Sequence, residues 1–260
     1  MNNKNYLSLN QISKVHNGKS IFFCKTDYIR KDFEFIKKLN NDVVFVTGNS
    51  DYSINDALVN DAPKNIKKWF CQNRNSDNDL LESIPIGLEN YIPCSRENHG
   101  YVWPHALGKP KVLDDYKNKK ITNFSNLIYA NFSAHTNRLH RNQIKKHISN
   151  LNFITWEEGL AYPRFVLNLL DHQSTLCPDG NGFDTHRLYE SLHLNRVGIT
   201  FNSNQFKYLH HKFPVLLIED INELSDEKEM TKRIKEINNT KYDLNCLDVN
   251  YWINKIKNYE

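Results

Sequence analysis

The sequence predicts an α/β fold made of two Rossmann-like domains that face a cleft. Three observations predict it. Short apolar runs alternate with helix-spaced segments, the pattern of parallel strands covered by helices. That alternation occurs twice. Between the two series, from Asn90 to Lys120, Pro93, Pro104 and Pro110 punctuate a polar stretch without clear periodicity, which reads as a long surface excursion and a domain crossing. The expected division is 1–120 for the first domain and 121–245 for the second. Residues 246–260 are expected to form a helix that packs back on the first.

In the first series, Ser20 to Cys24 is an apolar run of buried-strand length, and Arg30 to Leu39 spaces Phe33, Phe35, Ile36 and Leu39 as a helix would. Asp42 to Thr47 is a β-branched strand ended by Gly48. Lys67 to Cys71 and Ser83 to Ile86 are shorter strand candidates, the latter closed by Gly87. In the second series, strands are expected at Asn126 to Ala130, Phe153 to Thr155, Ser174 to Cys177, Val197 to Phe201 and Val215 to Ile218. Helices are expected at Asn137 to Ser149, Pro163 to Leu170, Thr185 to Leu194, from Ser225 onward, and at Val249 to Tyr259.

At 260 residues, with 39% hydrophobic and 12% aromatic side chains, the chain can bury a sizeable core. Its net charge of +4 comes without a Lys/Arg run or an RNA-binding signature, so nucleic-acid binding is not expected. Cys24, Cys71, Cys94, Cys177 and Cys246 are odd in number and show no CxxC or zinc spacing, which points to buried free thiols. Met1 to Asn10 lacks the apolar core of a signal peptide, and no window reaches the length of a membrane span. The expectation is a soluble cytoplasmic protein, or one at the cytosolic face of a membrane.

The stretch Thr175 to Thr200 carries the chemistry. A strand ends at Cys177, Pro178 stops it, and Gly180 and Gly182 are expected to supply turns closed to other residues. A helix then opens near Asp184 or Thr185, either of which has a capping side chain. A glycine-containing loop entering a helix N-terminus is an anion site, because free N–H groups and the helix dipole point at the ligand. Arg187 in the first turn is placed to clamp a diphosphate, and Glu190, three positions on, to accept ribose hydroxyls. Spacing alone fits a plain turn, a capped helix and a surface Arg187–Glu190 ion pair equally well.

Residues Cys177 to Thr200 resemble the donor motif of exostosin-like, GT-B-fold glycosyltransferases, with Pro178, Gly180, Gly182, Asp184, His186, Arg187, Tyr189 and Glu190 matching. Val44 to Asp51, Lys68 to Asn73, Ser83 to Asn90, Leu127 to Arg141 and Phe213 to Leu224 resemble further segments in the same order. Three positions depart from the pattern: Asn195 replaces a Gly, Gly198 a Pro and Gly48 a His.

The resemblance implies an inverting, metal-independent transfer from a nucleotide sugar, UDP-linked by preference and GDP-linked as the alternative, to a glycan hydroxyl. It implies no cofactor. The donor side falls to Asn131, Ser133 and Arg141, near one helix N-terminus, and to Pro178, Gly180, Asn181, Gly182, Asp184, Thr185, His186, Arg187 and Glu190 around the other. Such a transfer needs a base for the acceptor proton. Asp51 is the first candidate, with Glu89 and His16 behind it. Asn49-Ser50-Asp51 also fits an Asx turn or a helix cap. Asn49, Ser50 and Tyr162, with Trp156 and Arg164, are assigned to the acceptor side, although core packing is the commoner role of such aromatics. Asp77-Asn78-Asp79 lies in a polar loop and reads as surface charge, and neither it nor His210-His211 marks a metal site. The rival reading is a non-catalytic glycan- or nucleotide-binding protein on a degenerate GT-B scaffold, suggested by Gly48.

Overall fold

The computed structural model describes residues 5–90, 108–119, 121, 124 and 126–260. Pro93, Cys94 and Pro104 lie outside the described residues.

The chain starts with a short helix, α1 (Leu9–Ile12), and enters a first sheet. In order come β1 (Ile21–Lys25), α2 (Ile29–Ile36), β2 (Val43–Gly48), β3 (Ile54–Asn55), α3 (Asp56–Asn60), β4 (Ile66–Cys71), β5 (Arg74–Asn75) and β6 (Leu81–Ser83). Helix α4 (Lys109–Lys117) precedes the second sheet. There the order is β7 (Asn126–Asn131), α5 (Arg138–Ile148), β8 (Ile154–Glu157), α6 (Tyr162–Leu170), β9 (His172–Leu176), α7 (His186–His193), β10 (Val197–Phe201), α8 (Asn204–Lys207) and β11 (Val215–Ile218). Helices α9 (Glu227–Asn239) and α10 (Val249–Lys257) complete the chain.

The expected α/β class holds, with two main parallel sheets and a small parallel pair, β3 with β5. The first is ordered β1-β2-β4-β6. Every residue of β2 is buried, as suits a central strand covered on both faces. The second sheet is ordered β11-β10-β9-β7-β8. From β7 the chain steps outward to β8, then crosses to β9 on the other side. That reversal leaves a crevice beyond the carboxyl ends of β7 and β9, the place where open parallel sheets bind ligands. The first sheet advances in one direction, so its described strands leave no such crevice.

The core lies under both sheets and between them. Phe33, Phe45 and Trp69 pack ring against ring behind the first sheet. Ile144, Met230 and Ile234 seal α5 and α9 onto the second. The largest cluster joins the halves, with Leu9 of α1, Phe165 of α6, Tyr189 of α7 and Trp252 of α10. Helix α10 returns to the first half, where the Val249 N–H donates to the Asn5 carbonyl at 2.9 Å. Among the described residues no helix is long and apolar enough to cross a membrane. Cys24, Cys71, Cys177 and Cys246 are buried free thiols.

Two expectations are corrected. The polar stretch before Lys120 holds helix α4, with Pro110 in its first turn, where a missing N–H is tolerated, and Leu113 buried. The strand expected at Ser83 to Ile86 lies earlier, at Leu81–Ser83. Pro85 has no N–H for the ladder, and the last contact to β4 is the Ile84 N–H on the Cys71 carbonyl. Asn195 ends α7 in the left-handed conformation (φ 57°), as a glycine would. Its N–H reaches the Leu192 carbonyl and the Arg196 N–H the Ser191 carbonyl, a Schellman closure. Gly198 fits because a β-carbon there would lie 2.1 Å from Leu188 Cδ1.

Gly87 is constrained further. Its φ is +70°, and a β-carbon would lie 2.3 Å from the Leu7 carbonyl oxygen. Gly87→Ala is therefore expected to cost about 2–4 kcal/mol. Urea melts of the variant and the parent measure it, and an unchanged midpoint would show that the Leu7–Gly87 approach is not needed.

Candidate functional site

The loops that follow β7 and β9 meet over the crevice. They enclose a cavity of about 290 Å³ open to solvent. Asn131, Phe132, Ser133, Thr136 and Arg141 wall one side, and Pro178, Gly180, Asn181, Gly182, Asp184, Thr185, His186 and Arg187 another. The first half contributes Asp51 and Ile86. Helix α5 begins at Arg138 rather than near Ser133, so Ser133 reaches the cavity from the loop ahead of it.

Two guanidinium groups set the electrostatics. Arg141 donates to the carbonyls of Asp179 (2.8 Å), Pro178 (3.1 Å) and Ser133 (3.2 Å), which pins both loops. It forms no ion pair among the described residues. Burial and the neighbouring Arg187 lower its pKa. Arg187 donates to the carbonyl (3.1 Å) and Oδ1 (3.2 Å) of Asn131 and lies 3.7 Å from the Phe165 ring centroid. Asn131 Nδ2 is buried on this wall without a hydrogen-bond partner among the described residues. Each guanidinium has five N–H groups, and three are engaged here.

Glu190 does not line the cavity, contrary to expectation. Its side chain is 2% exposed, with Arg187 Nη1 at 2.6 Å and Lys109 Nζ at 3.2 Å. Burial raises its pKa, but Arg187 and Lys109 more than offset this, so the pKa is lowered. A ribose would have to displace one of these cations, so the carboxylate serves to orient Arg187. Lys109 also pairs with Glu89 at 2.6 Å and lies 4.9 Å from the Tyr162 ring centroid. Glu89 and Tyr162 are thus part of this buried cluster rather than of the cavity wall.

The two glycines act differently from expectation as well. Neither Gly180 nor Gly182 has a positive φ. Gly182 is required by close approach, since a β-carbon would lie 2.6 Å from Asn73 Nδ2. At Gly180 the nearest atom would be 3.7 Å away, so a side chain there would meet only ordinary contact. Asp184 is not the helix cap. Thr185 holds the N-cap position, without a side-chain hydrogen bond. The buried Asp184 carboxylate instead accepts from the Ile86 N–H (2.7 Å), the Tyr189 hydroxyl (3.0 Å) and Gln205 Nε2 (3.3 Å).

Asp51 faces the cavity, with Asn181 Nδ2 at 3.4 Å from its Oδ2. Asn49 and Ser50 are off the wall. Asn49 has φ 52° and accepts from Asn90, and the Ser50 carbonyl accepts from Asn73 Nδ2 at 2.9 Å, so both shape the loop that carries Asp51. His16 Nδ1 accepts from the Phe23 N–H, which gives it a structural role. Trp156 lies under Lys145 Nζ at 4.1 Å and against Phe132. Arg164 is exposed at the start of α6. Asp77 is engaged by Lys207 and the Tyr208 hydroxyl. A β-carbon on Gly48 would lie 2.7 Å from Leu9 Cδ1, so α1 fills the space that a side chain would need.

Sequence reasoning missed two residues that assemble the site. Asn73 (φ 55°, fully buried) accepts the Asp184 N–H at 3.0 Å and abuts Gly182. Gln205, also fully buried, accepts the Arg74 N–H and donates to the Ile84 carbonyl. Asn73 falls within a segment that carried the family resemblance. Gln205 offers no pattern of its own.

Burial pushes the Asp184 carboxyl up to about 7, against its three hydrogen-bond donors. A raised acid binds its proton more tightly when folded. Its contribution is therefore fully present below about pH 4 and is lost as pH rises through about 7. Asp184→Asn removes that titration, so its stability relative to the parent is expected to improve between pH 5 and pH 8. Asp184→Ala leaves buried donors unpaired and is expected to cost about 2–4 kcal/mol across that range. Denaturant melts at several pH values check both, and parallel curves for the Asn variant and the parent would rule out the raised carboxyl.

No family model matches the chain, and no curated protein does. Among solved structures it is similar to a UDP-GlcNAc 2-epimerase from Methanocaldococcus jannaschii, at 12% identity over 97% of this chain and 81% of that one, with a TM-score of 0.37. It is also similar to TarM, at 13% identity over 95% of this chain and 57% of that one, with a TM-score of 0.34. Likenesses this remote carry no weight in the functional reading, which stands on the geometry above.

Proposed function

We propose that this chain transfers a sugar from a nucleotide-sugar donor, UDP-linked by preference, to a hydroxyl of a glycan. The observation that carries the proposal is the cavity at the strand-order reversal, where Arg141, Arg187 and the N-terminus of α7 converge and the opposite half presents Asp51. A diphosphate there meets free guanidinium N–H groups and the unsatisfied N–H groups of a helix start. The same donors stabilise the charge that develops on the departing nucleotide. Asp51 takes the acceptor proton, and the acceptor oxygen attacks the anomeric carbon from the face opposite the diphosphate, so the transfer inverts. In this reading the guanidinium groups and the helix N-terminus meet the leaving-group charge without a metal. The glycan is one assembled in the cytoplasm.

A screen of UDP, GDP, CMP and dTDP with their sugars tests the donor side, since a bound ligand raises the melting temperature by mass action. Arg141→Ala and Arg187→Ala are each expected to weaken binding by about 10- to 100-fold, the range of a lost charge-assisted contact. Asp51→Asn is expected to bind within about two-fold of the parent while transfer falls by about 10²- to 10⁴-fold. The space at Gly48 that Leu9 fills favours a second reading, a binding protein without turnover. Tight nucleotide-sugar binding with no transfer or hydrolysis over a broad acceptor panel would decide for it.

A further inference from the structure

We propose that His186 Nε2 accepts a hydrogen bond from a hydroxyl of the sugar carried on the donor, and so selects that sugar. The inference rests on the nucleotide-sugar reading above and assigns a residue to its sugar end.

His186 opens α7 and lines the cavity between Thr185 and Arg187. Its Nδ1 lies 2.8 Å from the Gly87 carbonyl oxygen. A carbonyl only accepts, so Nδ1 carries the hydrogen, and in the neutral ring Nε2 is left with the lone pair. Gly87 holds its carbonyl there firmly. Its conformation excludes a side chain, and the next N–H, of Leu88, is tied to the Leu7 carbonyl at 2.8 Å. Nε2 has no hydrogen-bond partner among the described residues. Unlike Nε2 of His140 and of His193, it is not sealed from solvent. In this proposal the nitrogen faces the cavity, since His186 is one of its lining residues.

The ring stays neutral near pH 7. Burial lowers its pKa, with the Gly87 carbonyl, Glu89 and Glu190 opposing and Lys109 assisting. The cations of this wall are Arg141 and Arg187, with the unpaired Asn131 Nδ2 beside them. A diphosphate answers those donors with acceptors and has no hydrogen to return. The His186 lone pair beside those donors suits a ligand that brings O–H groups as well as phosphate oxygens. The ring is bonded to Gly87 and stands beside Ile86, on the side of the first half. On this assignment the diphosphate lies at Arg141 and Arg187 and the sugar toward Gly87 and Ile86.

The test compares dissociation constants for nucleotide sugar and free nucleotide, with UDP-glucose, UDP-galactose and UDP-N-acetylglucosamine against UDP, and GDP-mannose against GDP. His186→Asn keeps an amide N–H for the Gly87 carbonyl and removes the distal lone pair. It is expected to change the constant for the free nucleotide by less than two-fold. The ratio of nucleotide sugar to free nucleotide should rise about ten-fold for the preferred sugar. In the parent that ratio should also rise as the ring takes a proton below the usual histidine range, because protonation removes the lone pair, and in the Asn variant it should not, which separates the ring from Asp179 and Asp184, whose carboxyls titrate near 7. If the Asn variant fails to fold, the parent's ratio is followed below about pH 6, past the titration of Asp179 and Asp184 near 7, where only a change of the ring is expected to move it. An unchanged ratio, or an equal loss for free nucleotide and sugar nucleotide, which marks a ribose contact, overturns the inference. A parent that binds no nucleotide at all overturns the reading beneath it and this inference with it.

Discussion

The seam between the two sheets is held by buried polar groups, and the site depends on it. Asp184, in the loop that enters α7, accepts from Ile86 across the seam and receives Gln205 on the same oxygen. Asn73 reaches from the first half to the Asp184 N–H, and the His186 ring reaches to Gly87. A buried donor or acceptor left unpaired costs about 1–3 kcal/mol, so these bonds demand one relative placement of the halves. That placement sets the loop ahead of α7 opposite Asp51. Hydrophobic burial supplies most of the attraction, through the cluster that runs from Leu9 to Tyr189 and Trp252. The polar contacts choose the register.

Charge is handled in two layers. On the cavity wall, Arg141 and Arg187 sit close enough to lower the Arg141 pKa, and only Arg187 has a carboxylate partner. Behind the wall, Glu190 is shared by Arg187 and Lys109, and Lys109 in turn by Glu89. Three half-buried charges thus surround the buried Glu190 with balanced overall sign, which avoids the large penalty of an isolated buried ion. The arrangement leaves Arg141, which forms no ion pair among the described residues, at the front, where an anion would lie.

Most strands were legible because parallel strands buried on both faces read as short apolar runs, and β2, β7 and β10 fall where those runs stand. Helix α7 was legible from its amphipathic spacing and its stop at Asn195. The cavity loops were legible because a proline and two glycines interrupt the pattern between β9 and α7. Helix α4 was not, because its single buried residue, Leu113, leaves almost no apolar periodicity. For the same reason the fate of Glu190 was hidden. Its spacing from Arg187 is local, whereas Lys109, 81 residues away, reaches it only through tertiary packing. Asn73 and Gln205 were illegible as seam residues for a related reason. A single amide side chain has no periodicity, and its role depends on what the other half brings to it.

Helices α6 and α7 are joined at both ends. Phe165 lies beneath Arg187 at one end, and Arg196 donates to the Leu170 carbonyl at the other. Together they form a stiff backing plate behind the phosphate side. Among the described residues, the direct hydrogen bond across the mouth joins the exposed Asn181 and Asp51, and at 3.4 Å it is long. A long, exposed contact of this kind is worth little, so parting Asp51 from Asn181 costs far less than disturbing the Arg141 and Arg187 anchors behind it.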